Sequence, residues 1–234
     1  MKRKNPFEPR QVVSRRGGPA KEPLSREAIV KAALELLTED GLEGMSLRKV
    51  AARLKTGPAS LYVYVEHLPA LQALVLDQAL ADVELPKSRR GTWRERFDAL
   101  MRSYLKVMNQ RPGLAQLAMT TIASGPHNLR ILDTLLGLFD EAGMAPEVAA
   151  WAVDLVTLYV TAVAAEQHNH RQLNIVFGAM GQAVRAASPE LFPRVHALRE
   201  ELLSGVPSLR FTWALEVLLT GILRTPVPPI GAKS

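Results

Sequence analysis

The stretch SLRKVAARLKTGPASLYVYV, residues Ser46 to Val65, decides how this chain is interpreted. Ser46 is a favourable helix N-cap, because its hydroxyl oxygen can accept a hydrogen bond from a free amide of the first helical turn. Apolar side chains then recur at helical spacing and form one face, made of Leu47, Val50, Ala51 and Leu54. The stretch therefore begins with a short helix that has one buried face.

A second helix is predicted after a tight turn. Lys55-Thr56-Gly57 interrupt the apolar pattern, and Pro58 is well placed as the first residue of a new helix. Leu61 and Val65 are four residues apart, so they share the face that packs on the first helix. The side chains expected to face outward are Ala59, Ser60, Tyr62, Val63 and Tyr64.

This outward face is unusual for a solvated helix, where Glu and Lys would be expected. Small side chains allow close approach to DNA, hydroxyls can bond phosphates or base edges, and apolar carbons can touch thymine methyl groups. The pattern therefore favours a DNA-binding helix-turn-helix. The alternative is a helical hairpin whose second helix is buried in the core.

The positive charge of the chain is unevenly distributed. The net charge is +6, and residues 1–24 alone carry seven cationic and two acidic side chains, a net +5. This segment is rich in Pro and Gly and poor in apolar residues, so we expect a disordered basic arm. Such an arm can neutralise DNA phosphates, or it is a solvated leader without a partner.

The whole-chain composition excludes several classes of protein. The 234 residues include no cysteine, so disulfides, thiolate metal sites and a cysteine nucleophile are excluded. We find no apolar run near the roughly 18 residues of a membrane span. The charged N-terminus also lacks the apolar stretch of a signal peptide. We therefore expect a cytoplasmic protein that does not associate with membranes.

Helical patterns continue through the rest of the chain, and no segment shows the alternation of a strand. Between residues 128 and 142 the expected buried stripe is Leu129, Leu132, Leu136 and Phe139. One further helix is expected over 188–203. The fold class is therefore all-α. The predicted division has four parts: a basic arm at 1–24, a helix-turn-helix three-helix domain at 25–68, a larger helical ligand-binding and dimerisation domain at 69–224 and a tail at 225–234.

Residues 24–75 resemble the DNA-binding region of the tetracycline-repressor (TetR) family. The shared features, in order, are Ala-x-x-Leu in the first helix, the Gly41-x-x-Gly44 link, Leu-Arg-Lys-Val-Ala-x-x-Leu in the second helix and the Leu61-Tyr62 pair. The resemblance implies an all-helical, homodimeric repressor that binds a palindromic double-stranded DNA operator. It also implies a variable C-terminal domain that binds a small-molecule effector.

The resemblance also assigns the DNA-contacting residues, position by position. The groove-facing positions of the family fall on Pro58, Ala59, Ser60, Tyr62, Val63 and Tyr64. The start of the preceding helix, Ser46, Leu47 and Arg48, supplies a backbone contact and a base contact from Arg48. Tyr62 is similar to the family's phosphate-gripping tyrosine.

Two positions depart from the family pattern. Lys55 stands where the family usually has Gly, so we expect a slightly more open turn. Glu66-His67-Leu68-Pro69 replaces the usual Lys at the end of the recognition helix. Our hypothesis is that His67 or the basic arm compensates for this lost phosphate contact.

In the second half, the order of helices resembles the regulatory domain of the same family. This implies that helices near 147–169 and 208–224 pack on a second copy as a four-helix bundle. The apolar residues expected there are Val148, Trp151, Leu155, Leu158, Trp213, Leu215, Leu218, Leu219 and Ile222. The alternative is that they complete the core of a monomer.

An effector pocket is expected among the middle helices, since pockets are mostly apolar with a few placed polar groups. The candidates are Met101, Tyr104, Met119, His127, Phe139, Trp151, Asp154, Tyr159 and Gln167. Core packing is the alternative for each. Asp154, between Trp151 and Leu158 on one helix, is expected near a buried face, where its partner is either a cationic ligand or an arginine. His168 and His170 point in different directions on a helix, so no metal site and no cofactor are predicted.

The expected mechanism is that a ligand tilts the helix at about 68–84 and spoils the spacing of the two DNA-reading helices. One rival is an architectural DNA-binding dimer without a ligand. The other is an all-helical enzyme that uses His127, Asp154, Glu166 and His168, but no spacing brings these four together. Without a GxSxG or phosphate-loop motif, we predict no enzymatic activity and no catalytic residues.

Overall fold

The computed structural model describes residues 24–87, 90–172 and 174–228, and side chains are described outside 168–177. The predicted arm at 1–24 and the end of the predicted tail lie almost entirely outside these ranges. Within them every regular element is a helix, as predicted. The twelve α-helices of these ranges are α1 (Arg26–Asp40), α2 (Leu47–Arg53), α3 (Pro58–Leu61), α4 (Leu68–Leu80), α5 (Trp93–Gln110), α6 (Leu114–Thr120), α7 (Pro126–Glu141), α8 (Pro146–Gln172), α9 (Asn174–Arg185), α10 (Pro193–Ala197), α11 (Arg199–Leu203) and α12 (Pro207–Arg224).

The first three helices are fixed at their ends by local contacts. Ser46 caps α2 as predicted, and Ser25 caps α1 in the same way: each accepts a hydrogen bond from the amide three residues later, at 3.2 and 3.1 Å. The link between α1 and α2 runs close to α1, because a Cβ at Gly44 would lie 2.3 Å from the Cβ of Asp40. Glycine at this position therefore allows the buried faces of α1 and α2 to meet.

The helix α4 connects the two halves of the chain. It packs on α1 on one side and on α6 and α7 on the other. The cluster of buried apolar side chains continues through it, from Ile29 in α1 to Leu219 in α12. No break in packing marks the domain boundary expected at residue 68, which stays a prediction.

The long helix α8 is the centre of the second half, and α5, α6 and α7 pack around it. Its inward side chains Val156, Val160 and Ala164 are fully buried. The start of α5 is fixed by a capping box between Thr92 and Glu95. These helices form the framework in which an effector would have to bind.

The buried stripe of α7 differs from the predicted one. Ile131, Leu135, Leu138 and Phe139 are buried, whereas Leu129 and Leu136 are exposed and Leu132 is only partly buried. Both sets have helical spacing, so periodicity alone could not select the correct face. The packing of α7 against α4, α5 and α8 makes that selection.

The prediction of a single helix over 188–203 is also wrong, because the structure has two short helices there, α10 and α11. A helix running through Pro193 would lose a backbone hydrogen bond and clash with the preceding turn, so α10 begins there. Leu198, with φ −106° and ψ 19°, then separates α10 from α11.

Within the described ranges, α8 is the one helix long and apolar enough to cross a membrane, over Pro146–Gln167 with a mean hydropathy of 1.8. The sequence prediction missed this segment, because Asp154 and Glu166 interrupt the uncharged run. One side of α8 is packed by α5, α6 and α7. This is an ordinary position for the central helix of a globular domain.

Candidate DNA-binding surface and effector region

The turn between α2 and α3 is tightly closed. The amide of Lys55 donates to the carbonyl of Ala52 at 3.0 Å, and the amide of Thr56 donates to that of Ala51 at 2.9 Å. Lys55 has φ +52°, the left-handed conformation that glycine adopts most easily. Lys55 therefore takes up the strained conformation, at a cost of about 1–2 kcal/mol, and the expected slight opening relative to the family stays a prediction.

The helix α3 is a single turn and is shorter than the predicted helix to Val65. The amides of Tyr64 and Val65 both donate to the carbonyl of Leu61 at 2.9 Å, which tightens the end of the turn. Leu61 and Val65 are buried, as predicted. The other residues predicted to face outward are exposed, apart from Tyr64: Pro58, Ala59, Ser60, Tyr62 and Val63.

Two large side chains dominate this exposed face. Tyr62 is 51% exposed and Val63 is 49% exposed, which is high for an aromatic and a β-branched residue. Tyr64 differs, because it is only half-exposed and packs against the buried cluster. The expectation that both tyrosines face outward is thus correct for Tyr62 and wrong for Tyr64, which anchors the segment.

The three predicted contact residues at the start of α2 also differ in exposure. The Ser46 hydroxyl caps the helix, and Leu47 is partly buried against the core. Arg48 is exposed on the side of α2 that faces away from the core. Of the three predicted contact residues here, Arg48 has the side chain most available to a ligand.

The other cations of α2 are bound to acidic residues on α1. Lys49 Nζ lies 3.3 Å from Asp40 Oδ2, and Arg53 Nη1 donates to Glu39 Oε1 at 3.0 Å. Arg53 also lies 3.6 Å from Glu35. The hydrogen bond from Arg53 lowers the pKa of Glu39. These contacts fix α2 on α1 and leave less positive charge for a DNA backbone.

His67 has a structural role at the start of α4. Its Nδ1 accepts a hydrogen bond from the amide of Ala70 at 3.0 Å, so the side chain is the N-cap of this helix. Because Nδ1 accepts, the proton of the neutral ring is on Nε2. His67 can therefore offer an uncharged donor to a phosphate while it keeps its cap.

The predicted effector residues fall into three groups. Met101, Tyr104 and Phe139 are buried. His127, Tyr159 and Gln167 are half-buried. Met119, Trp151 and Asp154 are exposed.

The structure places some of these residues together along the seam between α5 and α8. The Thr161 hydroxyl donates its one hydrogen to the carbonyl of Thr157 at 2.8 Å. In the 3.2 Å hydrogen bond between Tyr104 and Thr161 the tyrosine hydroxyl is therefore the donor and Thr161 Oγ1 the acceptor. About one and a half helical turns further, Asn109 Nδ2 donates to Gln167 Oε1 at 2.9 Å. Burial raises the pKa of Tyr104, so its hydroxyl stays neutral. The seam is an apolar region with neutral polar groups.

Asp154 is not part of this seam. It was expected near a buried face between Trp151 and Leu158, and these residues do share a face of α8. That face points outward, since all three side chains are exposed. Tyr159 instead stacks on Phe211 of α12, with ring centroids 6.0 Å apart. Its pKa is raised by partial burial and by the charge of Glu166.

Three residues of the region were missed by the sequence analysis: Asn109, Thr161 and Asp77. Asn109 and Thr161 gave no local signal, because their partners are 58 and 57 residues away in the chain. Asp77 did give a signal, because it is the only charged residue in the largely apolar helix α4.

Two outward faces of the second half are apolar. On α8 the exposed side chains are Trp151, Leu155 and Leu158, and on α12 they are Leu209, Trp213 and Val217. Two residues expected on a dimer face, Leu215 and Leu219, are buried within the chain's own core. They occupy the α12 face opposite Trp213, so the expectation for them is wrong.

Metal-binding geometry is not found in the described part of the chain: no group of three or more His, Asp or Glu side chains there could hold an ion. The residues His168 and His170, for which no metal site was predicted, lie outside the described side chains.

Comparison with known proteins finds matches for both halves of the chain. Residues 85–225 match the model of the tetracyclin repressor-like C-terminal domain, and residues 29–64 match that of bacterial regulatory proteins of the tetR family. The chain is 32% identical to the HTH-type transcriptional repressor DrrR1 of Streptomyces coeruleorubidus over 148 residues, 63% of this chain and 55% of DrrR1. The match thus spans little more than half of that relative.

Two further relatives match over most of their length. Apo ActR from Streptomyces coelicolor has a TM-score of 0.80 and 31% identity, over 87% of this chain and 97% of ActR. ActR has also been solved in complex with actinorhodin. The class G tetracycline repressor of Vibrio anguillarum is 26% identical, over 86% of this chain and 94% of that protein.

Proposed function

The chain belongs to the tetracycline-repressor (TetR) family of bacterial regulatory proteins, and we propose that it is a transcriptional repressor released from DNA by a small molecule. The observation that carries the proposal is the exposed face of α3 and the turn after it. A solvated surface made of Ala59, Ser60, Tyr62 and Val63 fits the major groove better than it fits water.

The contacts divide by chemistry. Ser60 and Tyr62 provide hydroxyls for phosphates or base edges, and Val63 provides apolar contact to thymine methyl groups. Arg48, exposed at the start of α2, provides the bidentate donor that a guanine prefers. Pro58 and Ala59 allow the backbone to approach closely.

The operator is expected to be palindromic, because we propose that the protein acts as a homodimer. The support is the apolar outward face of α8, together with the exposed Trp213 on α12. Two reading helices about 34–36 Å apart reach successive major grooves only when a rigid pair holds them. The dimer would be built on these two long helices.

The effector is proposed to bind along the seam between α5 and α8. The groups there are neutral: the hydroxyls of Tyr104 and Thr161 and the amides of Asn109 and Gln167. A largely apolar molecule with uncharged hydrogen-bonding groups fits such a seam better than a cation does. ActR, which has the same fold, was solved with actinorhodin bound.

We place the protein in the cytoplasm, because its DNA operator lies there. We propose no association with the membrane. The relatives are regulators, and we propose no catalytic step. A ligand can displace the protein from DNA only by as much as its affinities for the two conformations differ. The conformation with correctly spaced recognition helices is the one that binds the operator.

The test is a selection of bound fragments from genomic DNA with the full chain, followed by sequencing. We expect enrichment of one palindromic motif next to a small number of genes. The matched control is Val63→Glu, which places a charge on the same exposed face without touching the core. Equal enrichment by both proteins, or none by either, would contradict the proposal.

A further inference from the structure

Asp77 is a buried acid that lies outside the proposed DNA-binding and effector residues. It lies in α4, is 2% exposed and is surrounded along its helix by apolar side chains such as Leu74 and Leu80. A carboxylate is very costly to bury unless hydrogen bonds replace its water.

The hydrogen-bond partners of Asp77 lie on a different helix. Asp77 Oδ1 accepts a hydrogen bond from the amide of Asn128 at 2.9 Å, and Oδ2 accepts one from the amide of His127 at 3.4 Å. Both amides belong to the first turn of α7, whose own N-cap residue, Gly125, has no side chain to cap it. Asp77 thus caps α7 from α4, and the positive end of the α7 dipole favours its negative charge.

The same turn of α7 is fixed to the segment that precedes it. Asn128 Nδ2 donates to the carbonyl of Ala123 at 2.6 Å, which ties the connection between α6 and α7 to the turn that Asp77 holds. On its other side α4 packs against α1. A continuous set of contacts therefore runs from the α6–α7 connection, through Asp77, to the helix-turn-helix.

We propose that Asp77 is the positioning residue that couples α4 to α7. Through it the DNA-reading half and the effector half share one conformational equilibrium. The inference rests on the proposed function, because it assigns the connection between operator binding and effector release. Coupling of this kind is reciprocal, so operator DNA must stabilise the first turn of α7 as much as that turn supports DNA binding.

The reciprocity gives a test that needs no effector. Hydrogen exchange is measured by mass spectrometry on the full chain, free and bound to an operator fragment from the genomic selection. In the wild type, operator should slow exchange at residues 126–131 by about fivefold or more, the lower end of typical coupling. Residues 46–65 should slow as well, through direct contact.

The variant Asp77→Asn keeps the size of the side chain and removes its charge. We expect operator to slow exchange at 46–65 as before, while the slowing at 126–131 is lost. The matched control is Asp82→Asn, which removes a half-exposed ion pair with Arg111 just after the same helix and should leave both responses intact.

Operator-dependent slowing at 126–131 that persists in Asp77→Asn would overturn the coupling. So would a wild type in which 46–65 slows and 126–131 does not, a result that stands even if Asp77→Asn fails to fold. A chain in which neither region slows would refute the proposed function, and the coupling with it.

Discussion

The exposed apolar side chains of the two halves differ in setting. In the DNA-reading half they are confined to the end of α3 and the turn after it, where the exposed Tyr62 and Val63 follow Ser60. In the second half they extend along helices of 27 and 18 residues, and on α8 the exposed Trp151, Leu155 and Leu158 share their face with a single charged side chain, Asp154. A small mixed surface suits the edge of a base pair, whereas a long apolar surface suits another helix.

A charge on the exposed apolar face of α8 should have the largest effect. Leu158→Glu should dissociate the homodimer, with a dissociation constant at least about 100-fold higher, because two buried carboxylates lose their water and lack a partner. Sedimentation velocity over a range of concentrations measures it. The matched control is Leu129→Glu on α7, whose wild-type side chain is 56% exposed against 51% for Leu158. Equal effects of the two variants would remove the distinction between α8 and α7.

Operator binding by the DNA-reading half should be sensitive to the loss of the Tyr62 hydroxyl oxygen. Tyr62→Phe is expected to weaken operator binding about tenfold, because it deletes a hydroxyl hydrogen bond to a charged phosphate. Fluorescence anisotropy at fixed salt concentration is a suitable measurement, with dimer dissociation followed in parallel. Tyr159→Phe, the same change in the second half, serves as the control and should leave operator affinity unchanged. An unchanged affinity for Tyr62→Phe would show that this hydroxyl does not contact DNA.

The closed turn of the first half predicts a gain in stability. Lys55→Gly should raise the free energy of unfolding by up to about 1 kcal/mol, because glycine adopts φ +52° with little strain. Urea denaturation compares it with Lys55→Ala, which removes the long side chain and keeps the strain. If both variants change stability equally, the side chain of Lys55 and not its backbone conformation is responsible.

The seam of the second half predicts a small effect at alkaline pH. Burial raises the pKa of Tyr104 above its usual value near 10, so the unfolded chain loses this proton first. The stability that Tyr104 contributes is complete below that value and falls as the pH rises through it. Thermal unfolding between pH 9 and about 11 should therefore decline less steeply in Tyr104→Phe. Tyr159 is present in both proteins and cancels in the comparison. Parallel declines would show that Tyr104 is not the responsible group.

How far the sequence could predict the structure also differs between the halves. Around Ser46–Val65 the Ser46 cap, the position of the turn and the buried pair Leu61 and Val65 were correct, because each depends on neighbours within a few residues. The length of the second helix and the exposure of Tyr64 were not correct. In α7 the predicted stripe was wrong, because two faces of similar spacing were available and distant helices select between them.

In the candidate sites, too, features set by neighbouring residues could be predicted and features set by distant residues could not. The exposure of Ala59, Ser60 and Tyr62 followed from local periodicity. Asp154 was placed near a buried face and lies outside it, since nothing local shows which side of α8 the core occupies. The Tyr104–Thr161 bond joins residues 57 positions apart and could not be seen without the fold.

The acidic residues that hold Lys49 and Arg53 on α1 have a consequence for the search of a genome. Because Lys49 and Arg53 are already paired with acidic residues, they release few counterions from DNA. The helix-turn-helix should therefore bind DNA of random sequence weakly. Short residence at each wrong site leaves more copies free in solution. A cell could then keep its operator occupied with fewer copies of the protein.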